Sequence, residues 1–200
     1  MNGMTATRLN TVLARQGRLQ ARPRLPKLDA PQRGALPLEL GGKRDGFVYV
    51  PEGYRSGQPT PLVVMLHGAG GHARHALDIL EAIAGTEGFV LVAPDSRGMT
   101  WDAIRGEYGP DITFIDQALA WVFERYAVDP ARLVIGGFSD GASYALSLGI
   151  GNGDLVPRLK GAGYTVRYRE FDGPHTVPDE IAREAVEWFK TVPQPLLQPR

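Results

Sequence analysis

The stretch Arg132-Leu-Val-Ile-Gly-Gly-Phe-Ser-Asp-Gly-Ala-Ser-Tyr-Ala-Leu146 decides how this chain of 200 residues folds. Arg132 to Gly136 holds an apolar run without alternation, the pattern of a strand buried on both faces of a parallel sheet. Ala142 to Leu146 is small and apolar and opens a helix. Between them Gly137-Phe138-Ser139-Asp140-Gly141 leaves no room for an ordinary loop. A chain that passes from strand to helix so sharply is strained, and positions 137 and 141 must be glycine to clear the two elements. The G-x-S-x-G string is weak on its own, since 25 Gly and five Ser give roughly 0.08 matches by chance. Strand, glycines and helix in the right order are what give it meaning. The turn aims the Ser139 hydroxyl at solvent and at a helix start, where the dipole favours negative charge.

Two runs of the same kind precede it, Pro61-Leu-Val-Val-Met-Leu66 and Phe89-Val-Leu-Val-Ala93. Helical periods lie between the runs. Ala73 to Ala84 repeats through Ala76, Leu77, Leu80 and Ile83, and Asp111 to Ala127 through Ile112, Ile115, Leu119, Val122, Phe123 and Tyr126. Short strands are expected at Leu36 to Leu40 and Phe47 to Val50, with glycine turns between them. A last helix starts near Pro178, carries Asp179 and Glu180 in its first turn, and packs through Ile181, Ala185, Trp188 and Phe189. Alternating strands and helices imply an α/β fold, a mostly parallel sheet with helices on both faces.

Residues 1–35 carry seven basic residues against one acid, Asp29, and three prolines. With no aromatic residue and no sustained apolar face, they read as a flexible, solvated arm rather than a nucleic-acid or membrane binder. The organisation expected is therefore an arm over 1–35, one α/β domain over 36–191 and a tail over 192–200.

Twenty-two basic and 22 acidic residues leave no formal net charge, so the whole chain gives no attraction to nucleic acid or an anionic surface. A small neutral substrate suits it better. The absence of cysteine excludes a thiolate metal site and a cysteine nucleophile. No leader-like stretch and no run of about 18 apolar residues occurs, so a soluble, cytoplasmic protein without stable membrane insertion is expected.

After the Pro61 to Leu66 run comes His67-Gly68-Ala69-Gly70-Gly71. Glycines there let backbone amides approach a carbonyl oxygen, so Gly68 and Ala69 with Asp140 are the expected oxyanion donors. His67 reads as the residue that shapes this loop. His72 and His75 stand three apart at a helix start with no third ligand type nearby, so they read as solvent-exposed and no metal is expected. His175 lies on a loop between a plausible strand, Tyr164 to Phe171, and the last helix. Its imidazole can take the serine proton and return it to a leaving alcohol; capping the helix is its other reading.

The elbow GFSDGAS, the loop LHGAGG, the segment VAPDSRGMTWDAI and the ending FDGPHTVPDEIAREAVEWF together resemble the phospholipase/carboxylesterase branch of the α/β-hydrolases, over about Leu36 to Thr191. The resemblance implies an eight-stranded parallel sheet, hydrolysis of a small-molecule carboxylic ester without cofactor, Ser139 as nucleophile and His175 as base. It also implies Trp101 and Asp102 near the mouth of the site, where plain loop packing is the other reading. A homodimer is left open.

One interval departs from that pattern. Hydrolases of this fold order the triad as serine, acid, histidine, with the acid at a strand end between the other two. His175 follows Ser139 by only 36 residues. Asp154, Glu170 and Asp172 all miss the strand-end position, so the triad acid is unknown. The fold is expected to be shortened by about two βα units after the elbow helix. From the same count follows a second reading, a hydrolase-like protein of impaired or lost activity.

Overall fold

The computed structural model of the chain describes residues 17–27, 32–150 and 176–191. By internal contacts the chain divides into two compact units, Met1–Gly151 and Asn152–Arg200.

In the first unit the apolar runs pair into one sheet. Its strands are β1 (Gly34–Pro37), β2 (Gly46–Val50), β3 (Thr60–Leu66), β4 (Val90–Pro94) and β5 (Val128–Gly137), in the order β1-β2-β4-β3-β5. β3 pairs parallel with β4 and with β5, because a helix separates each successive pair in sequence. β1 and β2 are joined by a short turn, which forces them antiparallel, and β2 runs antiparallel to β4. The sheet is thus mixed, a correction to the mostly parallel sheet expected. The described residues hold five strands. The two missing βα units are expected after the elbow helix, where residues 151–175 lie outside the described residues.

Among the described residues of this unit are three α-helices, α1 (Ala73–Glu87), α2 (Pro110–Arg125) and α3 (Asp140–Ile150). The register sorts the sheet residues into two faces. Val48 stands opposite Val92, and Leu62 and Val64 opposite Val90 and Val92. These join Leu66 in one buried cluster with Ile115, Ala118, Leu119, Val122 and Phe123 of α2 and Tyr144 and Ala145 of α3. Alternation sends Tyr49, Val63 and Leu91 to the other face. There α1 packs on β2, β3 and β4 through Ala76, Leu77, Leu80 and Ile83. Each of these large aliphatic side chains contributes about 1.5–3 kcal/mol by leaving water. Helices on both faces were expected, and so were the buried positions of α1.

β5 starts four residues earlier than the apolar run suggests. Thr60 faces Val128 but Leu62 faces Leu133, so β5 carries extra residues against β3. Pro130 has no N–H to give a ladder, and the bulge around it is closed by Asp129, whose Oδ1 accepts from the Ala131 amide at 2.9 Å.

Residues 17–27, part of the stretch expected as a flexible arm, lie along α2. The amides of Gln20 and Ala21 both donate to Asp116 Oδ1, at 2.6 and 2.7 Å, and Lys27 N–H donates to the Glu124 carbonyl at 2.9 Å. Arg24 pairs with the Glu124 carboxylate. Under this strap an apolar cleft of about 330 Å³ is lined by Leu19, Ala21, Leu62, Phe123, Leu133 and Ile135.

In the second unit α4 (Asp179–Thr191) begins just after Pro178, as expected, with the Ala182 amide donating to the Pro178 carbonyl at 3.0 Å. Its buried positions are Ala182 and Val186, flanked by half-buried Ile181, Trp188 and Phe189. Ala185, expected on that face, is exposed. Ile181, Ala185 and Phe189 recur at four residues just as Ala182 and Val186 do, so period does not choose between the two stripes and burial does.

Candidate active site

β5 ends at Gly137, and the ladder to β3 runs one bond further, the Phe138 amide donating to the Leu66 carbonyl at 2.9 Å. The next residue, Ser139, has φ +53°. A serine in the left-handed region carries backbone strain, held here by the structure around it. The Gly141 amide closes the turn on the Phe138 carbonyl at 2.9 Å, and the amides of Ala142 and Ser143 donate to the Ser139 carbonyl as α3 begins.

The glycines are required by contact. A Cβ on Gly137 would lie 2.3 Å from the Gly141 carbonyl carbon, and one on Gly141 would lie 2.4 Å from the Leu66 oxygen and 2.5 Å from that of His67. The turn is folded onto itself and onto the end of β3. Gly68 is also close: a Cβ there would stand 3.1 Å from Ser139 Cβ and from Phe138 Cδ1. Two segments about 70 residues apart thus bring Ser139 and the glycine loop together.

In that loop the Gly70 amide donates to the Met99 carbonyl at 2.7 Å and the Gly71 amide to the Gly68 carbonyl at 3.0 Å. Those two amides are used within the protein. Asp140 opens α3, so its amide belongs to the first turn, which has no intrahelical acceptor.

His67 is buried at 1% exposure. The Ser96 amide donates to its Nε2 at 3.0 Å, so that nitrogen carries the lone pair, and Nδ1 donates to the Gly68 carbonyl at 2.7 Å. Burial holds its pKa below the usual histidine value, against the opposing pull of the Gly68 carbonyl and of Asp95. His67 is a neutral residue that shapes the loop, the role read from its position. His72 and His75 are exposed and stack at 3.7 Å, and among the described residues no group of three or more His, Asp or Glu side chains is placed to hold a metal.

Trp101 and Asp102 are core residues rather than residues of a site mouth. Trp101 is fully buried between His67 (centroids 4.9 Å apart) and Tyr144 of α3 (5.2 Å), and its Nε1–H donates to the His67 carbonyl at 2.8 Å. Asp102 accepts from Tyr144 OH at 3.0 Å and from the amides of Gly109 and Asp111 at 2.9 and 2.8 Å. Asp111 in turn accepts from the Asp102 amide at 2.7 Å and from the Arg97 amide. Burial raises the Asp111 pKa, and burial beside Asp102 raises that of Tyr144, which keeps its proton. Asp102 and Asp111 are therefore occupied as structural carboxylates.

Two residues of this framework gave no signal in the sequence. Arg44 reads as turn chemistry in Gly-Gly-Lys-Arg-Asp-Gly. It nevertheless donates to the carbonyls of Ser96 (2.6 Å) and Gly71 (2.7 Å) and to Asp95 (3.1 Å). Thr100 donates from Oγ1 to Asp140 Oδ2 at 2.6 Å. Both partnerships cross at least 27 residues, beyond any local pattern.

His175 lies outside the described residues, as do Asp154, Glu170 and Asp172. Of the expected site residues, the structure therefore brings together Ser139, the Gly68-Ala69 loop and Asp140.

An α/β sheet with a serine on a strained strand-to-helix turn defines a broad class, and comparison with known proteins narrows it. No family model matches the chain. Over 113 residues it is 31% identical to the "Probable feruloyl esterase C" of Aspergillus oryzae, an overlap of 52% of this chain and 41% of that one. Over 156 residues it is 27% identical to feruloyl esterase C of Emericella nidulans, 69% of this chain and 56% of that one. A bifunctional acetylxylan esterase/xylanase of Neocallimastix patriciarum is 33% identical over 110 residues, 16% of its length. The chain spans about half the length of the two feruloyl esterases it matches. Among solved structures a thermostable esterase superposes with a TM-score of 0.58 at 17% identity, over 78% of this chain and 62% of that one. That likeness concerns the fold, which is of the α/β-hydrolase type. Relatives and structural neighbour alike are esterases. No helix among the described residues is long and apolar enough to cross a membrane.

Proposed function

We propose that the chain is a serine hydrolase of carboxylic esters, with Ser139 as its nucleophile. The observation that carries this reading is Ser139 at φ +53° on a turn that only glycines at 137 and 141 permit, with Gly68 packed against its stem. Strain of this kind persists where surrounding structure over-determines it, and such positions cluster at functional sites.

Ser139 attacks the ester carbonyl, and His175 takes its proton and returns it to the leaving alcohol. The amides of Gly68, Ala69 and Asp140 receive the negative oxygen. The Gly70 and Gly71 amides being engaged elsewhere favours Gly68 and Ala69 within the loop. A donor of this kind contributes about 3–4 kcal/mol to the transition state. Water then releases the acid from Ser139, and no cofactor takes part. The names of the relatives suggest feruloyl and acetyl esters as acyl groups to try first.

The test is to incubate purified protein with a fluorophosphonate probe, p-nitrophenyl acetate and methyl ferulate, beside Ser139→Ala. Labelling and turnover confined to the wild type are expected. A folded wild type that neither takes the probe nor cleaves either ester overturns the reading and leaves a hydrolase-like protein without activity.

A further inference from the structure

Three consecutive residues, Met99, Thr100 and Trp101, each hold a different part of the Ser139 site. The Met99 carbonyl accepts from the Gly70 amide at 2.7 Å, Thr100 Oγ1 donates to Asp140 Oδ2 at 2.6 Å, and Trp101 Nε1–H donates to the His67 carbonyl at 2.8 Å. The glycine loop and the start of α3, which come from distant parts of the chain, are thus tied to one short segment. Met99 and Trp101 hydrogen-bond to the loop, Trp101 also stacks on Tyr144 further along α3, and Thr100 is the one of the three that hydrogen-bonds to Asp140 at the helix start.

We propose that Thr100 is a positioning residue for the oxyanion hole, acting through the Asp140 carboxylate; this rests on the reading of Ser139 as the nucleophile. Asp140 is an awkward residue beside a developing oxyanion, because its amide stabilises negative charge while its own carboxylate opposes it. A hydroxyl donating to that carboxylate makes a short, charge-assisted bond. It fixes the carboxylate on the side of Thr100 and sets the distance between the Asp140 amide and the Gly68-Ala69 amides. Without it the carboxylate is free to swing and Asp140 loses its hydrogen bond to the segment that also holds the glycine loop.

The test compares Thr100→Val, Thr100→Ser, Asp140→Ala and the Thr100→Val/Asp140→Ala pair with wild type, for turnover of p-nitrophenyl acetate and rate of fluorophosphonate labelling. Thr100→Val is expected to lower kcat about tenfold, less than loss of a whole donor, with KM within about twofold. Thr100→Ser, which keeps the hydroxyl, restores kcat. If Thr100 acts through Asp140, the double variant loses no more than the worse single one. Equal kcat and labelling in wild type and Thr100→Val overturn the inference while leaving Ser139 as nucleophile. So do independent, multiplying losses in the double variant. An unlabelled wild type overturns both. Should Thr100→Val fail to fold, the Ser variant and Asp140→Ala decide: an Asp140→Ala kcat equal to wild type refutes the link.

Discussion

Around residues 137–141 the chain is held by backbones in contact. Gly137 lies against Gly141, Gly141 against the carbonyls that end β3, and Gly68 against the stems of Ser139 and Phe138. Across the site, residues 95–111 hold their neighbours by a different means. Asp95, Asp102 and Asp111 gather backbone amides, Tyr144 and Arg44 into hydrogen bonds, and Trp101 is clamped between His67 and α3. The first region tolerates no added atom; the second tolerates no lost partner. A steric constraint fails all at once, whereas a polar network weakens bond by bond.

Gly141→Ala therefore carries the largest expected effect. Its Cβ would meet two backbone oxygens, so either β3 or the turn must shift, at a cost of about 4 kcal/mol or more. Urea unfolding measures it, and a variant within about 1 kcal/mol of wild type would break the steric side of the comparison.

Asp102→Ala comes next. It leaves the Tyr144 hydroxyl and the Gly109 and Asp111 amides without their acceptor, at about 2–4 kcal/mol. The same unfolding measurement applies. A neutral result would mean that water replaces the carboxylate and that the network is not what holds α3.

Asp116→Ala sharpens the contrast at a surface site. It removes the acceptor shared by the Gln20 and Ala21 amides, for an expected loss of about 1–2 kcal/mol. Trypsin should then cut after Arg18 or Arg24 faster than in wild type. Unchanged cleavage would show that the apolar contacts of Leu19 and Ala21 alone keep the strap in place.

The smallest effect is a pH dependence. His67 holds its pKa below the unfolded value of 6.5 because of burial, so on acidification the unfolded chain takes up a proton before the native one. Stability from this group is complete above about pH 6.5 and falls as pH drops from there toward the lowered native pKa. His67→Gln should flatten that part of the stability profile. An equal slope in both proteins would assign the acid sensitivity to other groups.

The two regions also differ in how far they could be read in advance. The elbow is a local matter: strand, two glycines, serine and helix start all fall within one stretch. Continuous apolar runs likewise located β3 and β4, and helical period α1 and α2, because burial leaves its mark along a single element. Period alone left α4 ambiguous, since Ala185 and Ala182 are equally apolar and only packing distinguishes them. The antiparallel pairing of β2 with β4 was hidden for a related reason, as a short strand carries no mark of its neighbour.

Taken alone, the sequence determined the α/β class, the turn that exposes Ser139 and the glycines that permit it, since these depend on the volume of residues within a few positions of one another. Tertiary structure decided that Trp101 and Asp102 are core, that Arg44 braces the glycine loop, and that Thr100 meets Asp140. Each of those contacts joins groups at least 27 residues apart. A buried donor will pair with any acceptor that packing brings within reach, so its partner is written in the fold rather than in the neighbouring residues.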